Sequence, residues 1–135
     1  MYNIFRKGKK LLKVFRKLLP ATFEDCKIPV HVTTFRVDLA DKKVVRHESG
    51  DLPLAVRASM SIPFLFDPVA IDDGLHIDGG WQANFPLPED SDADVVGLYF
   101  GLDARPKKKI PINNNLDLGM ALIDGAIDES MRHAI

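Results

Sequence analysis

An aspartate followed by two glycines, Asp78-Gly79-Gly80, is the place in this 135-residue sequence where a reactive carboxylate could be mounted. Glycine has no Cβ, so a pair lets the backbone turn sharply or approach a neighbour closely, and Asp78, ending the run Leu75-His76-Ile77, would project beside exposed backbone. A carboxylate so placed can take the proton of a hydroxyl nucleophile within hydrogen-bond reach. Standing alone, Asp-Gly is also common turn chemistry. His76 and Asp78 are two apart on an extended run, so they face the same side and could pair or ligate a metal, but no third ligand stands at a recognisable spacing.

The other reactive residue types have weaker settings. A serine nucleophile exposed at a strand-to-helix turn needs glycine two residues away on each side, and none of Ser49, Ser59, Ser61, Ser91 and Ser130 has that context. Ser59 and Ser61 read as helix-end or packing residues. Asp124-Gly125-Ala126 sits among Leu118, Met120, Ala121, Leu122, Ile123 and Ile127, an apolar pattern of helical type with no strand before it. His31, His47 and His133 read as strand or surface residues. Trp81 can pack over the glycine turn or line an apolar pocket. Cys26 is the single cysteine, which excludes an internal disulfide, a zinc cluster and a paired-cysteine redox motif.

Asp78 must be positioned by strands and helices that the pattern also predicts. Residues 1–20 carry seven basic residues and no acid, with Ile4, Phe5, Leu11, Leu12, Phe15, Leu18 and Leu19 at steps of three, four and seven, so they form a basic amphipathic helix that Pro20 and Thr22 stop. Its apolar side either packs on the core or meets an anionic membrane surface or a partner helix. Ile28 to Phe35 is rich in β-branched residues and reads as a strand, with Pro29 suiting its start or an edge. Asp41-Lys42-Lys43 turns the chain into a second strand around Val44-Val45 that pairs with the first as a hairpin and ends near Ser49-Gly50. Asp51 before Leu52-Pro53 marks a helix start, the helix runs from Leu54 to Ser61, and Ile62-Pro63 ends it. Val69-Ala70-Ile71 and Leu75-His76-Ile77 flank the turn Asp72-Asp73-Gly74. Asp94 to Phe100 reads as a buried strand of the parallel kind, and a last helix spans about Leu116 to His133. Alternating strands and helices favour an α/β fold.

Composition is that of an ordinary soluble globular protein, 46% hydrophobic and 27% charged with a net charge of −1. One domain, or part of one, spans residues 1–135. No apolar run reaches the roughly 18 residues a bilayer crossing needs, and the basic residues scattered through the opening segment do not form a secretory signal. A reducing, cytoplasmic setting is expected, with contact at a membrane through residues 4–19 as an option. No cofactor and no nucleic-acid partner is expected.

Ala58-Ser59-Met60-Ser61-Ile62-Pro63, then Phe64-Leu65-Phe66-Asp67-Pro68-Val69, a hairpin, Ile77-Asp78-Gly79-Gly80, and finally Asn84 and Pro86 together resemble the patatin-like phospholipase family. The resemblance covers about residues 4–101. It implies an α/β hydrolase-type domain of three layers, a mixed or mostly parallel sheet with flanking helices, that cleaves lipid acyl esters by a serine–aspartate dyad without a catalytic histidine. It implies that Asp78 is the dyad aspartate in a motif completed by Gly79 and Gly80. The family's Gly-x-Ser-x-Gly elbow and glycine-rich oxyanion loop occur nowhere in this sequence. The expectation is therefore the second half of a catalytic domain whose serine-bearing half is missing, acting on an acyl lipid, and inactive alone. The alternative is a non-catalytic module that retains the fold to bind a lipid surface or a protein.

Overall fold

A computed structural model describes residues 7–83 and 111–134. In chain order these form α1 (Lys7–Leu18), β1 (Val32–Arg36), β2 (Lys43–His47), α2 (Leu52–Ser59), β3 (Val69–Ile71), β4 (Gly74–Asp78), a 3₁₀ turn (Gly79–Trp81) and α3 (Asn115–Ala134). The strands make one sheet in the order β2-β1-β4-β3.

Every strand pairing among the described residues is antiparallel, which corrects the mostly parallel sheet. The reason lies in the connections. Only Asp72 and Asp73 separate β3 from β4, and six residues separate β1 from β2, lengths that make hairpins and cannot carry a parallel crossover. Asp72 adopts φ 52, a left-handed conformation that aspartate tolerates in tight turns. Asp94 to Phe100, on which the parallel expectation rested, lies outside the described residues, as do Ile4, Phe5, Asn84, Pro86 and Ser91.

Boundaries shift for local reasons. β1 begins at Val32 rather than Ile28 because Val32 pairs with His47, the last residue of β2, and the chain then leaves the sheet towards Gly50 at φ 81. α2 begins two residues earlier than expected. Asp51 is its N-cap, with its side chain accepting a 3.0 Å bond from the Leu54 N–H, and Pro53 occupies the first turn, where its missing N–H costs nothing.

The register sorts the side chains. Thr34 lies opposite Val45 and Asp78, Val32 opposite His47, and Arg36 opposite His76, so Thr34, His47, His76 and Asp78 share one face. Phe35 and Ile77, both buried, share the other. α2 covers the first face, where Phe23, Leu52 and Ala55 form a core cluster with Leu19, Val30 and Val32 around it. α1 packs on α2 through Gly8, whose backbone lies so close to Arg57 that a Cβ would overlap the guanidinium.

Arg57 is the knot of this region. It is 4% exposed, and its Nε donates to the Gly8 carbonyl at 3.1 Å while its Nη1 donates to the hydroxyl of Ser61. The guanidinium carbon also lies 4.8 Å from the centroid of the Phe66 ring. A single side chain thus ties α1, the end of α2 and the segment after it.

Candidate catalytic aspartate and the histidine pair

Asp78 is the last residue of β4, and its backbone is held from two sides. It pairs with Thr34 of β1, and its N–H donates to the Ser61 carbonyl at 3.1 Å. The chain then folds into the 3₁₀ turn, which Asp78 itself caps, with Oδ1 accepting the Gly80 N–H at 2.8 Å. Gly79 must be glycine, because a Cβ there would stand 2.5 Å from the carbonyl oxygen of Thr33, and that backbone cannot yield without breaking the sheet. The first glycine of the motif is therefore a matter of close approach, and the second supplies the amide that orients the carboxylate.

Burial pushes the Asp78 carboxyl above its ordinary value, and the bond from Gly80, which favours the ionised form, opposes the shift in part. A stronger base and a fixed orientation are the two properties that a proton acceptor for a hydroxyl needs.

The serines nearest in sequence do not supply that hydroxyl. Ser59 ends α2, and Ser61, fully buried, donates its hydroxyl to the Arg57 carbonyl at 3.0 Å while accepting from the Arg57 guanidinium. Ser61 touches the site only through its backbone. Asp124 and Gly125 lie within α3, both exposed, as their helical surroundings suggest. Ser130 and His133 belong to the same helix. Trp81 is half-buried in the 3₁₀ turn. Cys26 is half-buried too, its sulfur 3.8 Å from the Thr22 carbonyl oxygen.

His76 does not pair with Asp78. It is 4% exposed, and its Nδ1 lies 2.8 Å from the hydroxyl of Thr34, which is also 2.7 Å from Nε2 of His47. The two imidazoles stand edge to face with centroids 5.2 Å apart. A threonine hydroxyl has one proton, so in the neutral cluster Thr34 donates to one ring and accepts from the other. Burial lowers the proton affinity of both rings. For His76 the neighbouring His47 and Arg36 lower it further, against Asp38 and Asp72; for His47 only Asp72 opposes.

These rings floor a cleft of about 530 Å³ between the Thr34 face of the sheet and the start of α2, with Arg36, Lys43, Asp72 and Leu54 among its walls. Asp78 does not line it. This cluster escapes a reading of the sequence, because His47 and His76 are 29 positions apart and meet only through the β1 register. His31, by contrast, is a surface residue, with Nδ1 3.1 Å from Glu48. Among the described residues no three histidine, cysteine or carboxylate side chains are placed to hold a metal ion.

A family model described as patatin-like phospholipase matches residues 2–90. The chain is also 37% identical over 75 residues to the uncharacterized protein R571 of Acanthamoeba polyphaga mimivirus, a match covering 50% of this chain and 25% of that protein. The chain thus spans about a quarter of the curated relative it matches. The family match includes α1, both hairpins, α2 and the whole Asp78-Gly79-Gly80 turn. The chain belongs to the patatin-like phospholipase family, a family of lipid hydrolases.

Proposed function

We propose that this chain carries the aspartate half of a lipid acyl-ester hydrolase site, with Asp78 as general base for a serine contributed by sequence outside these 135 residues. The observation that supports the reading is the mounting of Asp78: a strand-end carboxylate, oriented by the Gly80 amide and raised in proton affinity by burial, with no hydroxyl bonded to it among the described residues. In this reaction the serine Oγ loses its proton to Asp78 and bonds to the ester carbonyl carbon. The tetrahedral oxyanion then collapses, and the alcohol leaves with the proton held on Asp78. Water, deprotonated by the same carboxylate, attacks the acyl-serine carbonyl, and as the C–Oγ bond breaks the serine takes that proton back from Asp78 and the fatty acid is released. Donors for the oxyanion would come from the glycine-rich loop that this sequence does not contain.

The test compares the chain with a version extended through a Gly-x-Ser-x-Gly segment. The 135-residue chain is expected to leave p-nitrophenyl esters and phospholipids intact. The extended protein should hydrolyse them and lose that activity in Asp78→Asn. Full activity of the extended Asp78→Asn protein would remove Asp78 from the mechanism, and labelling of the short chain by a fluorophosphonate would reveal a nucleophile within it.

A further inference from the structure

α1 and Leu19, the residue that follows it, carry three parallel stripes, one residue apart, each with the spacing i, i+3, i+7. Leu12, Phe15 and Leu19 form the first; they are partly buried, and Leu19 packs on the Phe23-Leu52-Ala55 cluster. Leu11, Val14 and Leu18 form the second. Lys10, Lys13 and Lys17 form the third, and all three are exposed. At 3.6 residues per turn the stripes lie about 100° apart around the axis. The core therefore uses one apolar stripe and leaves the other outside, directly beside the lysines.

That outer stripe is exposed beyond what packing explains. Leu18 is 73% exposed and Val14 47%. Leu11 and Val14 also wall a shallow apolar groove with Phe66, its rim formed by Lys10. The helix contains no acidic residue. Its Arg16 is engaged with Asp51 at 2.6 Å, whereas Lys9, Lys10, Lys13 and Lys17 have no ion-pair partner among the described residues.

We infer that the outer face of α1 docks on an anionic phospholipid surface. Leu11, Val14 and Leu18 enter the boundary between head groups and acyl chains, and the lysine stripe lies against the phosphates. Two observations select this occupant. Four cations on one short helix, without an ion-pair partner among the described residues, favour a negatively charged surface over a neutral apolar partner. An apolar stripe of equal length beside them would stay wet against nucleic acid but is buried at a lipid interface. The helix lies on the surface rather than across it, since 12 residues span only about 18 Å. This inference rests on membership in a lipid-hydrolysing family and is independent of the role of Asp78.

The experiment is co-sedimentation of the full 135-residue chain with vesicles of phosphatidylcholine, alone or mixed with phosphatidylglycerol. Binding is expected to the mixed vesicles in about 0.1 M salt, to fall roughly tenfold or more towards 1 M, and to be weak on phosphatidylcholine alone. Lys13→Ala/Lys17→Ala should weaken partitioning about thirtyfold, at about 1 kcal/mol per lysine. Val14→Ser/Leu18→Ser should weaken it about tenfold while leaving the salt dependence in place. Circular dichroism and the thermal midpoint must match the parent protein for both variants, which surface positions permit. Asp78→Asn should bind as the parent does, so a failed dyad would leave this result standing. Equal binding to both vesicle types, insensitivity to the paired substitutions, or a folded chain that ignores mixed vesicles would overturn the inference, the last leaving an acidic protein as occupant.

Discussion

Replacing Thr34 with valine tests whether the histidine pair is held by a single shared hydroxyl. Valine keeps the shape and the β-branched fit to a strand, so the change isolates two hydrogen bonds of 2.7 and 2.8 Å at a side chain with no exposed surface. Each buried nitrogen left without a partner costs about 1–3 kcal/mol. His47 is half-buried and can recover water, whereas His76, at 4% exposure, cannot. Valine itself returns up to about 1 kcal/mol of apolar burial. The expected net loss is about 2 kcal/mol at pH 7, or a fall in Tm of roughly 6–8 °C for a chain of this size. Urea unfolding of the parent, Thr34→Val and Thr34→Ser proteins measures it, with serine the milder change because its hydroxyl remains. The pH dependence provides a second reading. Both imidazoles bind protons less readily folded than unfolded, so their contribution is complete above the ordinary value of 6.5 and is lost as pH falls below it. Parent stability should therefore decline between about pH 7 and 5, helped by repulsion between the two rings. A Thr34→Val protein within about 0.5 kcal/mol of the parent at pH 7 would refute the bridge, since that is the scale of a surface substitution.

Two further outcomes follow from the turn at the end of β4. The Asp78 carboxyl is raised above 3.8 in the folded chain, so ionising it costs stability as pH rises through the folded value; Asp78→Asn, which retains an oxygen for the Gly80 amide, should match the parent near pH 3 and exceed it increasingly towards pH 7 in thermal melts. A parent melt more stable than the asparagine variant at neutral pH would contradict a buried, strained charge. Gly79→Ala should lose about 1–3 kcal/mol in urea unfolding, because its new Cβ meets backbone rather than a movable side chain; a change under about 0.5 kcal/mol would mean that β1 can shift aside.

The stretch from Asp51 to Asp78 was legible because its signals are local. Asp51 caps, Pro53 sits in the first turn, Asp72-Asp73 makes the tight turn, and the two glycines follow Asp78, each decided by neighbours a few residues away. The two hairpins were legible from their short turns, but the direction of the β1–β4 pairing that joins them was not, since alternation of strands and helices suggests crossovers, whereas β1 and β4 pair antiparallel across a helix that simply returns the chain. The Thr34 bridge was hidden for the same reason: three residues become neighbours through register alone. In α1 the pattern showed one wide apolar side. The split into an inner stripe and an outer one emerged only once α2 occupied part of that side.

Arg57 also constrains the sequence of assembly. Its guanidinium is satisfied by a carbonyl from α1 and a hydroxyl from the residues after α2, so until α1 docks, a charged group faces an interior that offers it one partner fewer. The last strand before Asp78 hangs from the same place, through the Ser61 carbonyl. Cutting away the first helix would thus do more than shorten the protein: it would uncap an internal cation beside the pedestal of the aspartate. A shortened chain would report on a damaged interior, and only surface substitutions on an intact α1 can separate what the helix touches outside from what it closes within.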